Sequence, residues 1–227
     1  MFASVFSAAI SGMEVHLIKV EADVSDGLPS FTMVGLPSTQ VKEAQDRVRT
    51  ALKNNGIALP PKRITVNLAP ADIRKEGAGF DLPLAAAVLA AAGVLSAAQL
   101  GNVMMAGEIG LNGEIHAVSG ILPMIIRARE EKCRFCVVPY DNLKEAHLIP
   151  DMKVIGVSNL QEMIRYVGAP DSYKKAVETK RKEKQENAVD FCEIHGQESL
   201  KRAVEIAVSG FHNLLMIGPP GAGKTMI

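Results

Sequence analysis

The chain has 227 residues, 48% of them hydrophobic and 22% charged, a balance typical of a globular protein with one or two domains. Lys and Arg (25) equal Asp and Glu (25) in number, which excludes a generally basic nucleic-acid binder but leaves a local basic patch open. Three cysteines are too few for a secreted disulfide framework, and no stretch is typical of a signal peptide or a membrane span, so we expect a cytoplasmic protein without membrane partners.

The first third of the chain predicts the start of a sheet. Residues 4–10 and 15–24 alternate partly between apolar and polar side chains, and Ser11-Gly12 between them indicates a hairpin turn. After Asp26-Gly27, a third short strand is expected over residues 30–35. The domain should therefore open with antiparallel strands.

A helix is predicted from Ser38, a capping residue, to about Asn54, with Asn55-Gly56 as its stop. Its apolar face comprises Val41, Ala44, Val48 and Leu52. The other face carries Lys42, Arg47, Arg49 and Lys53. For these basic residues a solvated helix face is favoured over a nucleic-acid contact. A strand should follow at residues 63–69.

The stretch from Arg74 to Pro83 is interpreted as a strand-to-helix transition through a glycine loop. Asp81 is a natural N-cap, and Pro83 suits the first turn of an Ala-rich helix over residues 82–95. Such loops can cradle an anion. Because no lysine is placed as in a phosphate-binding loop, tight packing of helix on strand is favoured over a second phosphate site.

Strand and helix patterns alternate through the second half of the first domain. Strands are predicted over residues 103–109, 115–118, 135–138 and 154–157, with Asn112-Gly113 as a hairpin turn between the first two. Helices are predicted from Ser119, as a cap, to Lys132, and over residues 142–147 and 159–166. Alternation after an antiparallel start predicts an α+β or mixed α/β fold.

Cysteine and histidine spacing gives little support for a metal site. Cys133 and Cys136 have C-x-x-C spacing, but no second pair lies at a finger-like distance, and the five histidines form no metal-binding spacing. Cys136 fits better as a buried strand residue. The third cysteine, Cys192, lies far from this pair in sequence.

A polar tract over residues 174–186 separates this domain from a second one that opens at Asp190. The tract has no apolar face, so a flexible or partly helical linker is favoured over a nucleic-acid patch, although its positive balance keeps the patch open. A helix is expected over residues 200–208, and the apolar run 213–217 predicts a buried strand.

That run leads into a stretch that fits G-x-x-x-x-G-K-[ST] without departure, the phosphate-binding loop. The cofactor-binding residues predicted from it are Gly218, Pro219, Pro220, Gly221, Ala222, Gly223, Lys224 and Thr225. The glycines let the backbone wrap a β-phosphate, Lys224 places a charge on the β/γ oxygens, and the Thr225 hydroxyl can ligate Mg²⁺. We therefore expect ATP and Mg²⁺ as cofactors.

The sequence ends two residues after Thr225. It holds no helix after the loop, no acidic strand for the metal and no residue to position an attacking water. No catalytic residue is therefore assigned, and we do not expect this chain alone to hydrolyse ATP. The interpretation is the amino-terminal part of a longer ATPase.

Several segments resemble known proteins. Residues 190–198, 201–203, 210–215 and 218–221 resemble the opening of magnesium-chelatase-type AAA+ ATPases, with a distinctive His-Asn-Leu-Leu approach to the loop. Together with residues 5–9, 31–37, 67–72 and 75–77, they make the whole chain similar to the YifB/ComM family of Mg-chelatase-like bacterial proteins.

The resemblance implies three segments. Residues 1–168 would form a Lon-protease-like domain of the ribosomal-protein-S5 domain-2 type, residues 169–189 a charged linker, and residues 190–227 the truncated start of an α/β P-loop AAA+ domain. It also implies a homo-oligomeric, hexameric ring in the full-length protein. The expected function is a DNA-remodelling motor, a helicase that drives branch migration of branched or single-stranded DNA during uptake and recombination.

Two alternatives stay open at this point. One is a magnesium-chelatase-type subunit that drives metal insertion, and the presence of a Lon-like domain argues against it. The other is a first domain that serves only as a non-enzymatic protein-interaction module.

The resemblance to Lon extends to the fold but not to the protease residues. Lon needs a Ser activated by a Lys. In the stretch from Lys75 to Asp81, Gly79 stands at the position of the serine, and Leu122 follows Ser119-Gly120-Ile121 where the lysine is expected. No Lon-type peptidase activity is therefore expected, and an oligomerisation or DNA-contacting role is favoured.

Overall fold

The computed structural model describes residues 1–173, 191 and 194–219. The chain divides into two compact units, Met1–Lys175 and Ala176–Ile227. The predicted linker over residues 174–186 lies outside the described residues.

The first unit is built on a central mixed sheet. The described strands of this unit are β1 (Phe2–Ser11), β2 (Glu14–Ser25), β3 (Ser30–Val34), β4 (Arg63–Ala69), β5 (Val103–Met105), β6 (Glu108–Ile109), β7 (Ile115–His116), β8 (Phe135–Pro139) and β9 (Val154–Val157), of which β6 and β7 pair only with each other. Within residues 1–173, seven of them form one sheet in the order β3-β4-β2-β1-β5-β8-β9. β1 pairs antiparallel with β2 and β2 with β4, whereas the neighbours further out run parallel. The expected α+β fold class is confirmed.

Helices cover the sheet and connect its parallel strands. In the first unit they are α1 (Thr39–Asn54), α2 (Asp81–Ala91), α3 (Ala97–Leu100), α4 (Ile121–Glu130), α5 (Leu143–Ala146) and α6 (Leu160–Gly168). All eleven residues of α2 are buried, because α2 packs between β1 and β2 on one side and α1 on the other. A helix buried on every side needs apolar residues around its whole circumference, which accounts for its alanines and leucines.

Most of the predicted elements are confirmed. The first hairpin runs in continuous register from Phe2 opposite Asp23 to Ser11 opposite Glu14. The Ser38 hydroxyl caps α1 by accepting a hydrogen bond from the backbone N–H of Val41. These elements were predictable because their turn and cap chemistry agrees with their apolar periodicity.

Two predicted caps are wrong. Asp81 is the first residue of α2, preceded by Phe80, and its carboxylate is committed to an arginine instead of to the helix. Ser119 does not cap α4, whose N-cap is Gly120 in the left-handed conformation at φ 81°. A tertiary partner and a glycine turn have replaced the local side-chain caps at these positions.

The single strand predicted over residues 103–109 is divided in the structure. β5 ends at Met105 and β6 begins at Glu108, with Ala106-Gly107 between them. The Gly107 N–H donates to Gly79, and its carbonyl accepts from Leu82. A Cβ atom at Gly107 would lie 3.1 Å from the Leu82 side chain. The chain therefore leaves the sheet here to pack against the start of α2.

Gly35, after β3, adopts a backbone conformation that only glycine takes readily. Its φ is +94°, and a Cβ atom would lie 2.2 Å from the Leu68 carbonyl oxygen. We expect Gly35→Ala to cost about 2–3 kcal/mol of unfolding free energy, from left-handed strain plus the clash. Gly56→Ala is the matched control, since Gly56 has φ +75° and open space around it, and should cost about 1 kcal/mol. Urea unfolding of both variants measures the difference, and equal losses would contradict the clash.

Candidate functional site

The second unit holds the approach to the predicted phosphate-binding loop. Its described part contains one helix, α7 (Glu198–Ser209), and a stretch without regular secondary structure up to Pro219. The predicted helix over residues 200–208 lies inside α7 and is confirmed. Of the predicted nucleotide-binding residues, Gly218 and Pro219 are described, whereas residues 220–225, including Lys224 and Thr225, lie outside the described residues. The nucleotide site therefore stays a prediction from sequence.

The buried strand predicted over residues 213–217 is wrong for this structure. These residues form no strand, and Leu215 and Ile217 are 82% and 88% exposed. A strand is stabilised by hydrogen bonds to a neighbouring strand, and the described residues of the second unit contain none to pair with. Residues 213–217 therefore have no neighbouring strand to pair with among the described residues of the second unit.

A cavity of about 310 Å³ in the first unit is lined by Gly79, which the comparison with Lon places at the serine position, and by Ser119, three residues before Leu122 at the lysine position. Gly79 lies on one wall, in the loop before α2, and Ser119 on another, before α4. The other lining residues are Ala8, Glu76, Gly77, Ala78, Phe80, Ala106, Glu108, Ala117, Val118 and Met124.

The charge of this cavity does not suit a phosphate. Its ionisable lining residues are the carboxylates Glu76 and Glu108, with no Lys or Arg among the lining side chains. The loop hydrogen bonds tie Gly79 to Gly107 and Gly107 to Leu82. Tight packing of helix on strand, the favoured interpretation of the glycine loop, is what these contacts support.

A buried ion pair joins α1, α2 and β6, and reasoning from sequence missed it. The Asp81 carboxylate is fully buried and accepts two hydrogen bonds from the Arg47 guanidinium, from Nε at 2.8 Å and from Nη2 at 3.0 Å. It also accepts the backbone N–H of Ile109 at 3.2 Å. Burial raises the pKa of Asp81 above its ordinary value, although the guanidinium opposes this.

The sequence predicted that Arg47 belongs to a solvated basic face of α1, and for Arg47 this prediction is wrong. Its side chain is 23% exposed, and it also donates to the Gln40 carbonyl. One signal was present in the sequence. Arg47 directly precedes Val48 of the apolar face and lies three residues after Ala44, so its stem lies at the border of the buried stripe.

Lys75 is a second buried charge, and no sequence signal pointed to it. It lies between Arg74 and Glu76 in a run that is typical of a solvated loop, yet it is fully buried. Its Nζ donates to the carbonyls of Gly35, at 2.8 Å, and Pro70. Desolvation lowers the pKa of Lys75 below its ordinary value. The ammonium thus joins two loops at one edge of the sheet.

The cysteines of the first unit lie in its core. Cys136 is fully buried in β8, as expected for a strand residue, and Cys133 is 7% exposed. Burial raises the pKa of both thiols. Within the described residues, no group of three or more His, Cys, Asp or Glu side chains is placed to hold a metal ion. No described helix combines the length and apolar character that crossing a bilayer requires.

Comparison with known proteins gives two family matches that together cover most of the chain. Residues 20–142 match the family model described as Subunit ChlI of Mg-chelatase. Residues 190–227, which contain the phosphate-binding loop sequence, match the model described as Magnesium chelatase, subunit ChlI. The first match alone spans more than half of the chain.

Similar proteins align along nearly the whole chain. Competence protein ComM of Haemophilus influenzae is 42% identical over 99% of this chain and 45% of its own length. Uncharacterized protein YifB of Escherichia coli is 41% identical over 98% of this chain and 44% of its own length. YifB of Salmonella typhimurium is 40% identical over 99% and 44%, so the chain spans a little under half the length of these relatives. With both family matches, this similarity shows that the chain belongs to the YifB/ComM family of magnesium-chelatase-like proteins.

Proposed function

We propose that the protein is an AAA+ ATPase that binds ATP·Mg²⁺ through residues 218–225 and uses hydrolysis to remodel DNA. The observation that carries the proposal is the complete phosphate-binding sequence inside the second magnesium-chelatase match. In this proposal Lys224 neutralises charge on the β/γ oxygens and Thr225 holds Mg²⁺. Mg²⁺ would supply electrostatic stabilisation of the transferring phosphoryl group.

The domain arrangement follows the family. Residues 1–168 form a Lon-protease-like domain of the S5 domain-2 type without the catalytic dyad, residues 169–189 are a linker, and residues 190–227 begin the AAA+ domain. The complete protein acts in the cytoplasm as a homo-oligomeric, hexameric ring. Because ring ATPases place the nucleotide between subunits, hydrolysis in one subunit changes the contacts that its neighbour makes with the nucleotide.

DNA is the proposed substrate, and branch migration during uptake and recombination is the proposed activity. The support is the relative named Competence protein ComM, which is 42% identical over nearly all of this chain. This chain has zero formal net charge, so any DNA contact that the chain itself makes must come from local basic surfaces.

A second candidate is ATP-driven insertion of a metal ion into a porphyrin. Both family descriptions favour it, since each names a magnesium-chelatase subunit. The two candidates share the nucleotide site and differ in what stimulates hydrolysis.

The ATPase rate of the complete protein separates them. We would measure it without polynucleotide, with linear duplex and with a four-way DNA junction, each at low and moderate salt, because salt weakens diffuse phosphate contacts. The proposal predicts stimulation that is greatest with the junction and persists at moderate salt. A rate that is indifferent to every DNA but rises with a porphyrin would support metal insertion instead.

A further inference from the structure

The strand β3 forms one edge of the central sheet, and within residues 1–173 only β4 pairs with it. Its five residues, Ser-Phe-Thr-Met-Val, include no charge and no proline, and its register with β4 is continuous from Ser30 to Val34. Edge strands of monomeric proteins usually carry charges, prolines or bulges that prevent pairing with another chain. Within its five residues β3 has none of these, although it is short and Pro29 directly precedes it.

The opposite edge of the sheet differs. All four residues of β9 are buried, and the Tyr173 hydroxyl is hydrogen-bonded to the backbone of Gly156 in its middle. The chain after β9 also folds back, since Ser158 accepts the N–H of Ile115 and donates to Glu162. Within residues 1–173, β3 and not β9 is therefore the accessible edge of the sheet.

We propose that β3 pairs antiparallel with β3 of a second copy of this chain, about a two-fold axis at Thr32. This pairing sets Phe31 opposite the partner's Met33, and Met33 opposite the partner's Phe31. Both side chains are half-buried and already pack against the core, so the pairing would complete their burial. Ser30 would lie opposite the partner's Val34, which is 45% exposed here.

The flanks of β3 match in the same way. Leu28 and Leu36 lie four residues on either side of Thr32 and are 89% and 57% exposed. The two-fold axis brings Leu28 of one copy to the end of the strand that carries the partner's Leu36. Within β3, every apolar side chain thus lies opposite an apolar or uncharged one, which is the self-complementarity that an isologous interface requires.

The backbone around Leu36 is held rigidly in the form that presents this side chain. Leu36 has φ +58°, a left-handed conformation that is unusual for a leucine. The buried Lys75 ammonium donates to the Gly35 carbonyl. The backbone N–H of Lys75 donates to the Leu36 carbonyl, and the Lys75 carbonyl accepts the N–H of Ser38. A strained backbone conformation of this kind persists only where the surrounding contacts hold it in place.

Disulfide trapping tests the pairing directly. In antiparallel sheets, directly opposed Cα atoms lie about 4.5–5.5 Å apart, within the range that a disulfide spans. We expect Thr32→Cys to form a covalent dimer under mild oxidation without nucleotide, joined at the substituted positions. Ser158→Cys, also at an exposed position beside β9 at the other edge, is the matched control and should stay monomeric on a non-reducing gel. No cross-link at Thr32→Cys, or equal cross-linking of both variants, would overturn the proposal.

A charge variant provides the second measurement, by sedimentation velocity of the whole chain without nucleotide. Thr32→Glu sets two carboxylates side by side across the axis and should raise the dissociation constant of the dimer roughly tenfold or more. Because Thr32 is exposed, the melting temperature measured at a concentration where the chain is monomeric should not change, and Ser158→Glu should leave association unchanged. A wild-type chain that stays monomeric, or a Thr32→Glu variant that associates as the wild type does, would contradict the pairing. Since neither readout needs ATP or DNA, the outcome is independent of the proposed function.

Discussion

Replacing Lys224 by alanine in the complete protein is expected to lower ATP turnover by at least about a hundredfold, since removing one preorganised charge-stabilising donor typically costs that much. The lysine places its charge on the β/γ oxygens, where negative charge develops as the γ-phosphoryl leaves. The change should appear in the turnover number, measured as phosphate release at saturating ATP·Mg²⁺.

The matched control is Arg202→Ala, which removes one positive charge from the exposed face of α7 while leaving the loop sequence intact. Its rate should stay within about twofold of the wild type, because exposed ion pairs contribute little. Unchanged turnover in Lys224→Ala would remove the basis for assigning the nucleotide site to residues 218–225.

The largest stability effect is expected at the buried ion pair. Arg47→Ala leaves the Asp81 carboxylate buried without its guanidinium, and such an uncompensated charge costs about 3–5 kcal/mol. In a chain of this size that corresponds to a fall in melting temperature of roughly 6–20 °C. Arg49→Ala, an exposed change two residues along the same helix, should stay within about 0.5 kcal/mol.

The pH dependence of this loss has a defined sign. Burial already raises the folded-state pKa of Asp81, and removing Arg47 takes away the main influence that lowers it. A raised folded pKa means that the folded state holds the proton more tightly, so stability increases as pH falls through that pKa. The destabilisation by Arg47→Ala should therefore shrink in acid. A loss that grows as pH falls would contradict the assignment.

Replacing the pair together distinguishes charge from packing. The double variant Arg47→Met and Asp81→Leu removes both charges and retains side-chain volume, so it should recover much of the stability lost by Arg47→Ala. If the double variant were as unstable as Arg47→Ala, lost packing and not the unpaired carboxylate would explain the effect.

Local chemistry made much of the first unit predictable. The α1 cap at Ser38, the strand over residues 63–69 and the buried Ala-rich helix each combine a clear period with a matching cap, turn or length. At these positions neighbouring residues decide the structure. The family resemblance, which the comparisons confirm, likewise depended on short local motifs.

What could not be predicted depends on partners distant in sequence. Asp81 was interpreted as a cap because its arginine lies 34 residues earlier, and the burial of Lys75 was not predicted because its acceptor at Gly35 lies 40 residues away. The run over residues 213–217 has strand-like composition, but a strand also needs a neighbour. In each case tertiary contacts determined the outcome.

A branch-migration assay tests the central proposal most directly. A labelled four-way DNA junction with mobile arms would be incubated with the complete protein, and its conversion to duplex products followed on a gel. The account predicts conversion that requires ATP·Mg²⁺ and is lost in Lys224→Ala but retained in Arg202→Ala. A protein that hydrolyses ATP at a normal rate while leaving the junction unconverted would contradict the DNA-motor proposal.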